Sequence, residues 1–547
     1  MLTIGYDIGS SSVKAVLFDA EKGTSVAGAY SPKQEMPILA REAGWAEQDP
    51  AMWWENLKAA TREVLHASPG LSRRVGAIGI SYQMHGLVVV GKQGNVLRPS
   101  IIWCDSRATG IGRGAFDRLG HERCLGTLLN SPGNFTASKL RWVKEHEPGI
   151  FAGVHKFFLP GDYIAMRLTD RIATTIPGLS EGMVWDFSAN APAGFLLDEY
   201  GIPPSLLPEI VPTFGDQGNL TAGTAGELGL PAGIPVTYRA GDQPNNALSL
   251  NVLEPGEVAA TAGTSGVVYA VSGTLARDPE LRVNSFAHVN HNSGHNSGHN
   301  SGNNSGNDSG NDSGNDSRDN SGNDSRDNSG HTSVQAGGNP RIGVLLCING
   351  CGIAQSWTRR VLGMAHVPYE EMNARAAGVP AGSGGIVVLP FGNGAERMFR
   401  DREIGGHVSG LSFTLHSDAH IMRAVQEGVA FSFKYGMDIL KDLGMLPSVI
   451  RAGESNMFLS RVFCGTLAHS TGVAIELYNT DGAQGAARGA ALGVGFYSSA
   501  REAFRGLARK EIIDPDPSRS GEFRDHYGKW KEALELHLGP RAGITDC

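Results

Sequence analysis

LTIGYDIGSSSVKAVLFD (Leu2–Asp19) and EVAATAGTSGVVYAVS (Glu257–Ser272) are built alike. In each, an apolar run meets a Gly/Ser/Thr turn and a second apolar run follows. That pattern reads as a β-hairpin, with strands Leu2–Asp7 and Val13–Asp19 in the first and Glu257–Thr261 and Val267–Val271 in the second. A single such hairpin is commonplace. One in each half of a 547-residue chain predicts a duplicated architecture, its boundary at Asn246–Pro255. The expected domains are 1–247 and 248–500, followed by a C-terminal extension, 501–547.

Outward from the first hairpin, Asp49-Pro50 is a helix start, with Asp as the cap and Pro at the first helical position, ahead of AMWWENLKAATREVL. Gly76–Ser81, Gly86–Val90, Ser100–Trp103 and Pro235–Tyr238 read as strands. Strands alternating with helices give an α/β class. Outward from the second hairpin, His416-Ser417-Asp418 opens a helix with Ile421, Ala424, Val425, Val429 and Phe433 on its apolar stripe. Asp481 caps a helix of small residues, GAQGAARGAALGVGFY, able to lie very close to a sheet or to a bound nucleotide.

Between these elements, residues 292–330 repeat Ser at every fourth position among Asn, Asp, Gly and His, with no apolar residue. Such a tract has no face to bury and is expected as a disordered insertion in the second domain.

Composition narrows the function classes. With 41% hydrophobic residues the chain can bury more than one core. A net charge of −8 and a pI near 6.1 give no basic field for nucleic acid or an anionic membrane surface. No stretch reaches the roughly 18 apolar residues of a membrane span, and the chain opens on a strand rather than a basic leader. A cytoplasmic protein is expected. The six cysteines are sparse; Cys347 and Cys351 are spaced neither as a redox pair nor as a zinc half-site, so reduced thiols are expected.

Three motifs carry chemistry. In DIGSSSVK, Asp7 ends a buried strand ahead of a Gly/Ser turn. A carboxylate there stands beside hydroxyl and N–H donors, the pairing that hydrated Mg²⁺ and phosphate oxygens require. The second hairpin turn, with Gly263, Thr264 and Ser265, offers a matching donor set. In Arg239-Ala-Gly-Asp-Gln243, Asp242 ends a strand just before the domain boundary, where it can take a proton from an attacking hydroxyl. A plain turn or capping role is the alternative for each motif taken alone. No GxxxxGK[ST] loop and no protein-kinase catalytic loop is present.

DIGSSSVK, GWAEQDP (Gly44–Pro50), ISYQMHG (Ile80–Gly86), LRPSIIWCDSR (Leu97–Arg107), AGDQ (Ala240–Gln243), AGTSG (Ala262–Gly266) and the stretch Gly405–Phe431 occur in the order found in FGGY carbohydrate kinases, which the chain resembles. The resemblance implies two domains of the actin-like, ribonuclease H-like fold closing over ATP and a sugar. Within the family the xylulokinase pattern is the nearest. It implies phosphorylation of D-xylulose with ATP and Mg²⁺. Gluconate kinases, which also carry Met-His, are the runner-up, and a non-catalytic sugar or nucleotide sensor on the same fold is the alternative from another class.

By that resemblance Gln83, Met84, His85, Trp103 and Asp105 meet the sugar, and Asp242 is the base. Asp7 organises the metal, while Ser10, Ser11, Lys14, Gly263, Thr264 and Ser265 hold phosphates. Gly453, Glu454 and Asn456 line the adenosine site. There the usual glycine run is replaced by Arg451-Ala-Gly-Glu-Ser-Asn456, and Arg451 and Glu454 are expected to alter nucleotide affinity. Assembly as a homodimer is left open.

Overall fold

Two mixed sheets carry the two halves of the sequence. The first contains β1 (Leu2–Ile8), β2 (Val13–Asp19), β3 (Thr24–Ser31), β4 (Val75–Tyr82) and β5 (Val236–Gly241), ordered β5-β4-β1-β2-β3. The second contains β6 (Glu257–Ala262), β7 (Gly266–Ser272), β8 (Asn284–Ala287), β9 (Ile342–Ile348), β10 (Val449–Gly453), β11 (Ile475–Tyr478) and β12 (Arg509–Ile513), ordered β8-β9-β7-β6-β10-β11-β12. The computed structural model describes residues 1–292 and 340–539, so the Ser/Asn/Asp/Gly tract, apart from Asn292, lies outside the described residues.

Both sheets follow one plan. A central antiparallel hairpin, β1/β2 or β6/β7, has a further antiparallel strand on one side, β3 or β9. On its other side lie two parallel strands, β4 and β5 or β10 and β11. The duplication read from the two hairpins is thus present in strand order and direction. Because β1, β4 and β5 run parallel, their C-terminal ends gather at one edge of the first sheet, with Ile8, Tyr82 and Gly241 side by side.

The helices that position the site are α1 (Pro50–Ala67), α2 (Thr136–His146), α3 (Ile176–Glu181), α4 (Asp242–Ser249), α5 (Asp418–Asp442), α6 (Gly482–Gly493) and α7 (Ser520–Leu538). The Asp49 side chain accepts from the Ala51 N–H at 2.9 Å, and Pro50 begins α1. The helix then buries Trp53, Trp54, Leu57, Ala60 and Val64 in the first core. Burying Leu57 and Val64 contributes about 1.5–3 kcal/mol each. Ser417 caps α5, which buries Ala424, Val425, Val429 and Phe433, while Ile421 is only half-buried.

Helix α6, capped by Asp481 through the Gln484 N–H, comes from the second half yet lies on β1, β4 and β5 of the first sheet. Backbone meets backbone there. A Cβ on Gly5 would stand 2.0 Å from the Ala483 carbonyl, and one on Gly79 2.0 Å from that of Ala486. Among the described residues beyond 500, 509–513 and 520–538 add to the second sheet and its core. Strand β12 extends its sheet, and α7 buries Phe523, Trp530 and Leu534, with the Trp530 indole donating to the Val388 carbonyl at 2.9 Å.

Two expected strands are shorter than read. Only Ser100–Ile101 and Val88–Val90 are extended. The chain leaves the sheet at Ile102, whose carbonyl accepts from Lys139 and from the Asp105 N–H, and at Gly86, whose carbonyl accepts from Thr136. Cys104, Cys124, Cys347, Cys351 and Cys464 are free thiols. No helix among the described residues is long and apolar enough to cross a membrane.

Candidate active site

The parallel strand ends place Asp7, the Gln83–His85 loop and Asp242 at one sheet edge. Asp7 is the penultimate residue of β1 and accepts from the Ser81 hydroxyl at 2.8 Å. Burial raises the pKa of its carboxyl; the Lys14 charge, opposite it in the hairpin, works the other way. Asp242 follows β5 directly and begins α4. Burial, and then the neighbouring Asp7 charge, push its carboxyl up to about 7. Asp242 is therefore held near its protonation midpoint at neutral pH, with the raised Asp7 carboxyl interacting with it at the mouth of the parallel sheet.

His85 has a left-handed backbone, φ 59°, unusual for a residue with a side chain. Its Nδ1 lies 3.1 Å from the Glu181 carbonyl. A carbonyl only accepts, so the ring carries its proton on Nδ1 and leaves Nε2 as an acceptor. Burial lowers the imidazole to about 3, which keeps it neutral. Phe135 and Phe286 pack on the ring at 4.8 and 5.1 Å, one from each half of the chain. Met84 is buried, and Gly241 fits between it and Glu181: a Cβ there would meet Met84 Cγ and Glu181 Oε2, each at 2.6 Å. Gln83 is also buried, its amide 3.4 Å from the Gln48 carbonyl oxygen.

Trp103 is exposed and its indole N–H reaches the Ser10 hydroxyl at 3.4 Å, tying the sugar-motif loop to the first turn. Ser11 and Lys14 are exposed beside it. Asp105 stands apart from the expected hydroxyl contact. It is fully buried, and its carboxylate accepts from Arg107 at 2.7 Å and from the Ala46 N–H at 2.6 Å. Arg107 also pairs with Glu47 at 2.7 Å, and Glu47 with Arg98 at 2.5 Å. In this arrangement Asp105 braces its loop.

On the second sheet the turn Gly263–Ser265 ends β6, and Gly453 ends the parallel β10. A Cβ on Gly263 would lie 3.7 Å from Asn456 Nδ2, so the turn and the Glu454–Asn456 segment face each other. The Gly352 N–H holds the Gly263 carbonyl at 2.8 Å. Residues 480–482 join this edge to the first. The Thr480 carbonyl lies 3.6 Å from a Cβ placed on Gly453, and a Cβ on Gly482 would stand 2.5 Å from Asp7 Oδ2. Arg451, expected to affect the nucleotide, is instead committed to the sheet. It pairs with Glu257 at 2.8 Å and Glu476 at 2.9 Å, and donates to the Asn251 carbonyl. Glu454 remains exposed.

Sequence reasoning missed Gln48, Lys139, Glu181 and Arg397. Gln48 takes the Trp53 indole N–H at 3.0 Å and gives its own amide to the Ser10 carbonyl at 2.7 Å. Glu181 is a buried carboxyl raised well above its usual value, first by burial. Arg397, from the second half, donates to Ser131 at 3.0 Å and lies 5.5 Å over Phe135. Only the GWAEQDP match pointed toward Gln48; none of the other three carries a local signal.

Comparison with known proteins bears on this geometry. The N-terminal domain of the FGGY family of carbohydrate kinases matches residues 2–249, and its C-terminal domain matches residues 258–497. The chain belongs to the FGGY family of carbohydrate kinases. It is 28% identical to a xylulose kinase of Klebsiella pneumoniae over 488 residues, 89% of this chain and 88% of that one. The crystal structure of a xylulose kinase from Rhodospirillum rubrum superposes with a TM-score of 0.80 at 26% identity, covering 98% of this chain and 99% of that one. A gluconate kinase from Lactobacillus acidophilus reaches the same TM-score, 0.80, at 20% identity over 98% and 99%, a likeness of fold alone. The two sheets are accordingly the two domains of an actin-like, ribonuclease H-like sugar kinase.

Proposed function

We propose that this carbohydrate kinase transfers the γ-phosphate of ATP to the terminal hydroxyl of D-xylulose, giving D-xylulose 5-phosphate and ADP. The observation that carries the reading is the neutral His85 ring at the same sheet edge as Asp242, its Nδ1–H spent on the Glu181 carbonyl. An Nε2 acceptor suits a sugar hydroxyl, and since gluconate kinases also carry Met-His, the choice of the ketose rests on the relatives. Relatives named as xylulose kinases, aligned over about nine-tenths of the chain, support the same reading.

In this reading Met84 and His85 orient the ketose, with Gln83 and Trp103 flanking them. Asp242 takes the proton of the attacking hydroxyl, a task suited to a carboxyl at about 7. Asp105 holds the loop that carries Trp103. Ser10, Ser11, Lys14, Gly263, Thr264 and Ser265 hold the phosphates, and Gly453, Glu454 and Asn456 line the nucleotide.

The residues at Asp7 fit a divalent cation. No group of three or more His, Cys, Asp or Glu side chains suited to a metal occurs among the described residues. Mg²⁺ needs only one or two carboxylates, its remaining ligands being water and phosphate oxygens. Asp7 supplies such a carboxylate, and glycine at 482 keeps the space beside its Oδ2 clear. Mg²⁺ bound there supplies charge neutralisation for the phosphate chain. Phosphoryl transfer otherwise needs chiefly positioning and exclusion of water.

A panel of ketoses, polyols and sugar acids assayed with ATP by ADP release tests this. D-xylulose should give the highest kcat/KM, with glycerol negligible. A preference for gluconate or ribulose by more than about tenfold, ~1.4 kcal/mol in transition-state binding, overturns the assignment.

A further inference from the structure

The start of α2 touches both loops that carry the proposed sugar contacts. Lys139, fully buried, donates from Nζ to the His85 carbonyl and to the Ile102 carbonyl, each at 2.9 Å. Around it, Thr136 donates to the Gly86 carbonyl at 3.2 Å and the Asn134 amide donates to the Asp105 carbonyl. Phe135, between those two residues, packs on the His85 ring. One short stretch, 134–139, therefore takes up main-chain carbonyls from 85–86 on one loop and 102–105 on the other.

Lys139 makes no ion pair among the described residues. Asp105, the acid nearest it in charge, is bonded to Arg107 instead. A lysine that served only to fill the core would be replaced at lower cost by an apolar side chain of equal length, because a buried amine loses its hydration. This one spends its donors on joining two loops, and one of those bonds holds the carbonyl of His85, the residue in a left-handed conformation.

We propose that Lys139 is a positioning residue for the sugar: its Nζ ties the 83–86 loop to the 102–105 loop and so sets the distance between His85 and Trp103. The proposal rests on the reading of those loops as the sugar contacts, and both acceptors of Lys139 lie on those loops. Removal of the amine should loosen the sugar and leave ATP alone.

The test is steady-state kinetics of Lys139→Met and Lys139→Gln, with the sugar and ATP varied separately on whichever sugar the wild-type enzyme prefers. A failure of the xylulose assignment would appear in the wild-type panel. A failure of the present inference appears only in the variants. Lys139→Met should raise the sugar KM at least tenfold with the ATP KM within twofold. Lys139→Gln, which keeps two N–H donors on a shorter arm, should fall between Met and wild type. A sugar KM within twofold of wild type in the Met variant, or an equal rise in both KM values, overturns the proposal. Should the Met variant fail to fold, the ratio of sugar KM to ATP KM in the Gln variant decides: a raised ratio supports the clamp and an unchanged ratio overturns it.

Discussion

At the scale of single residues, the site depends on carboxyl groups displaced from their usual titration. Asp242→Asn keeps the shape of the side chain and removes the proton acceptor. It should lower kcat by roughly 10²-fold or more, a typical general-base contribution, with sugar KM little changed. Turnover near wild type in a stopped or coupled assay would remove Asp242 from the mechanism. The pH dependence follows from the same group. An acid raised to about 7 is protonated below that pH and cannot accept, so kcat/KM should climb with pH through about 7 and level above it. Part of that elevation comes from the Asp7 charge, so raising Mg²⁺ should move the acid limb to lower pH. A limb that stays fixed across Mg²⁺ concentrations would mean the two carboxyls are not coupled in solution. Glu181 offers a contrasting case. Burial raises it well above the usual range, which favours the neutral acid, and the Gln amide is the near-isostere of that form. Glu181→Gln should leave kcat/KM within about threefold and the pH profile unmoved, because about 0.7 kcal/mol is all that a threefold change represents. A shift in the acid limb on this substitution would show that Glu181 is ionised.

Among elements, α6 is the most demanding. It lies across β1 and β4 only because Gly and Ala occupy both sides of the contact. Gly79→Ala puts a methyl 2.0 Å from a main-chain oxygen that has no rotamer by which to escape, so the helix must lift. Overpacking of this kind costs about 1–3 kcal/mol or more, readable as a lower urea midpoint at unchanged m-value. The loss should also reach activity, since Gly482 beside Asp7 begins the same helix. The hairpins, the α1 cap and the α5 stripe were legible in the sequence because their signals are local: period-two alternation, an Asp-Pro start, apolar spacing at three and four. Asp7, His85 and Asp242 were singled out because they end predicted strands or sit in family motifs. Lys139, Glu181 and Arg397 carry no such signal, for their meaning lies in carbonyls and rings from segments far away in sequence. Arg451 misled for the same reason; its partners Glu257 and Glu476 lie on adjacent strands that only the folded sheet brings alongside.

For the whole molecule, the question is what the long Ser/Asn/Asp/Gly stretch costs a fold built from two repeated sheets. Its flanks are well defined. Strands β8 and β9 pair antiparallel with Ala287 opposite Ile342, and the His288 N–H donates to the Arg341 carbonyl at 2.9 Å. The Arg341 N–H also donates to His291 Nδ1 at 3.3 Å. The chain thus leaves and re-enters the second sheet at neighbouring points, as in any hairpin. A short connection can bridge them without strain. Closure entropy depends on the logarithm of loop length, about 0.6 kcal/mol per factor of two. Replacing residues 293–339 by a short Gly/Ser linker, about three halvings, should therefore raise stability by no more than about 2 kcal/mol. The pairing of β8 with β9 is kept, and with it Phe286, which packs on the His85 ring across the two halves. Activity should follow that contact: kcat/KM of the shortened chain should equal that of the full chain within about twofold. Thermal melting and steady-state kinetics on both chains provide the check. A shortened chain that melts as before but has lost turnover would show that the stretch itself takes part in catalysis.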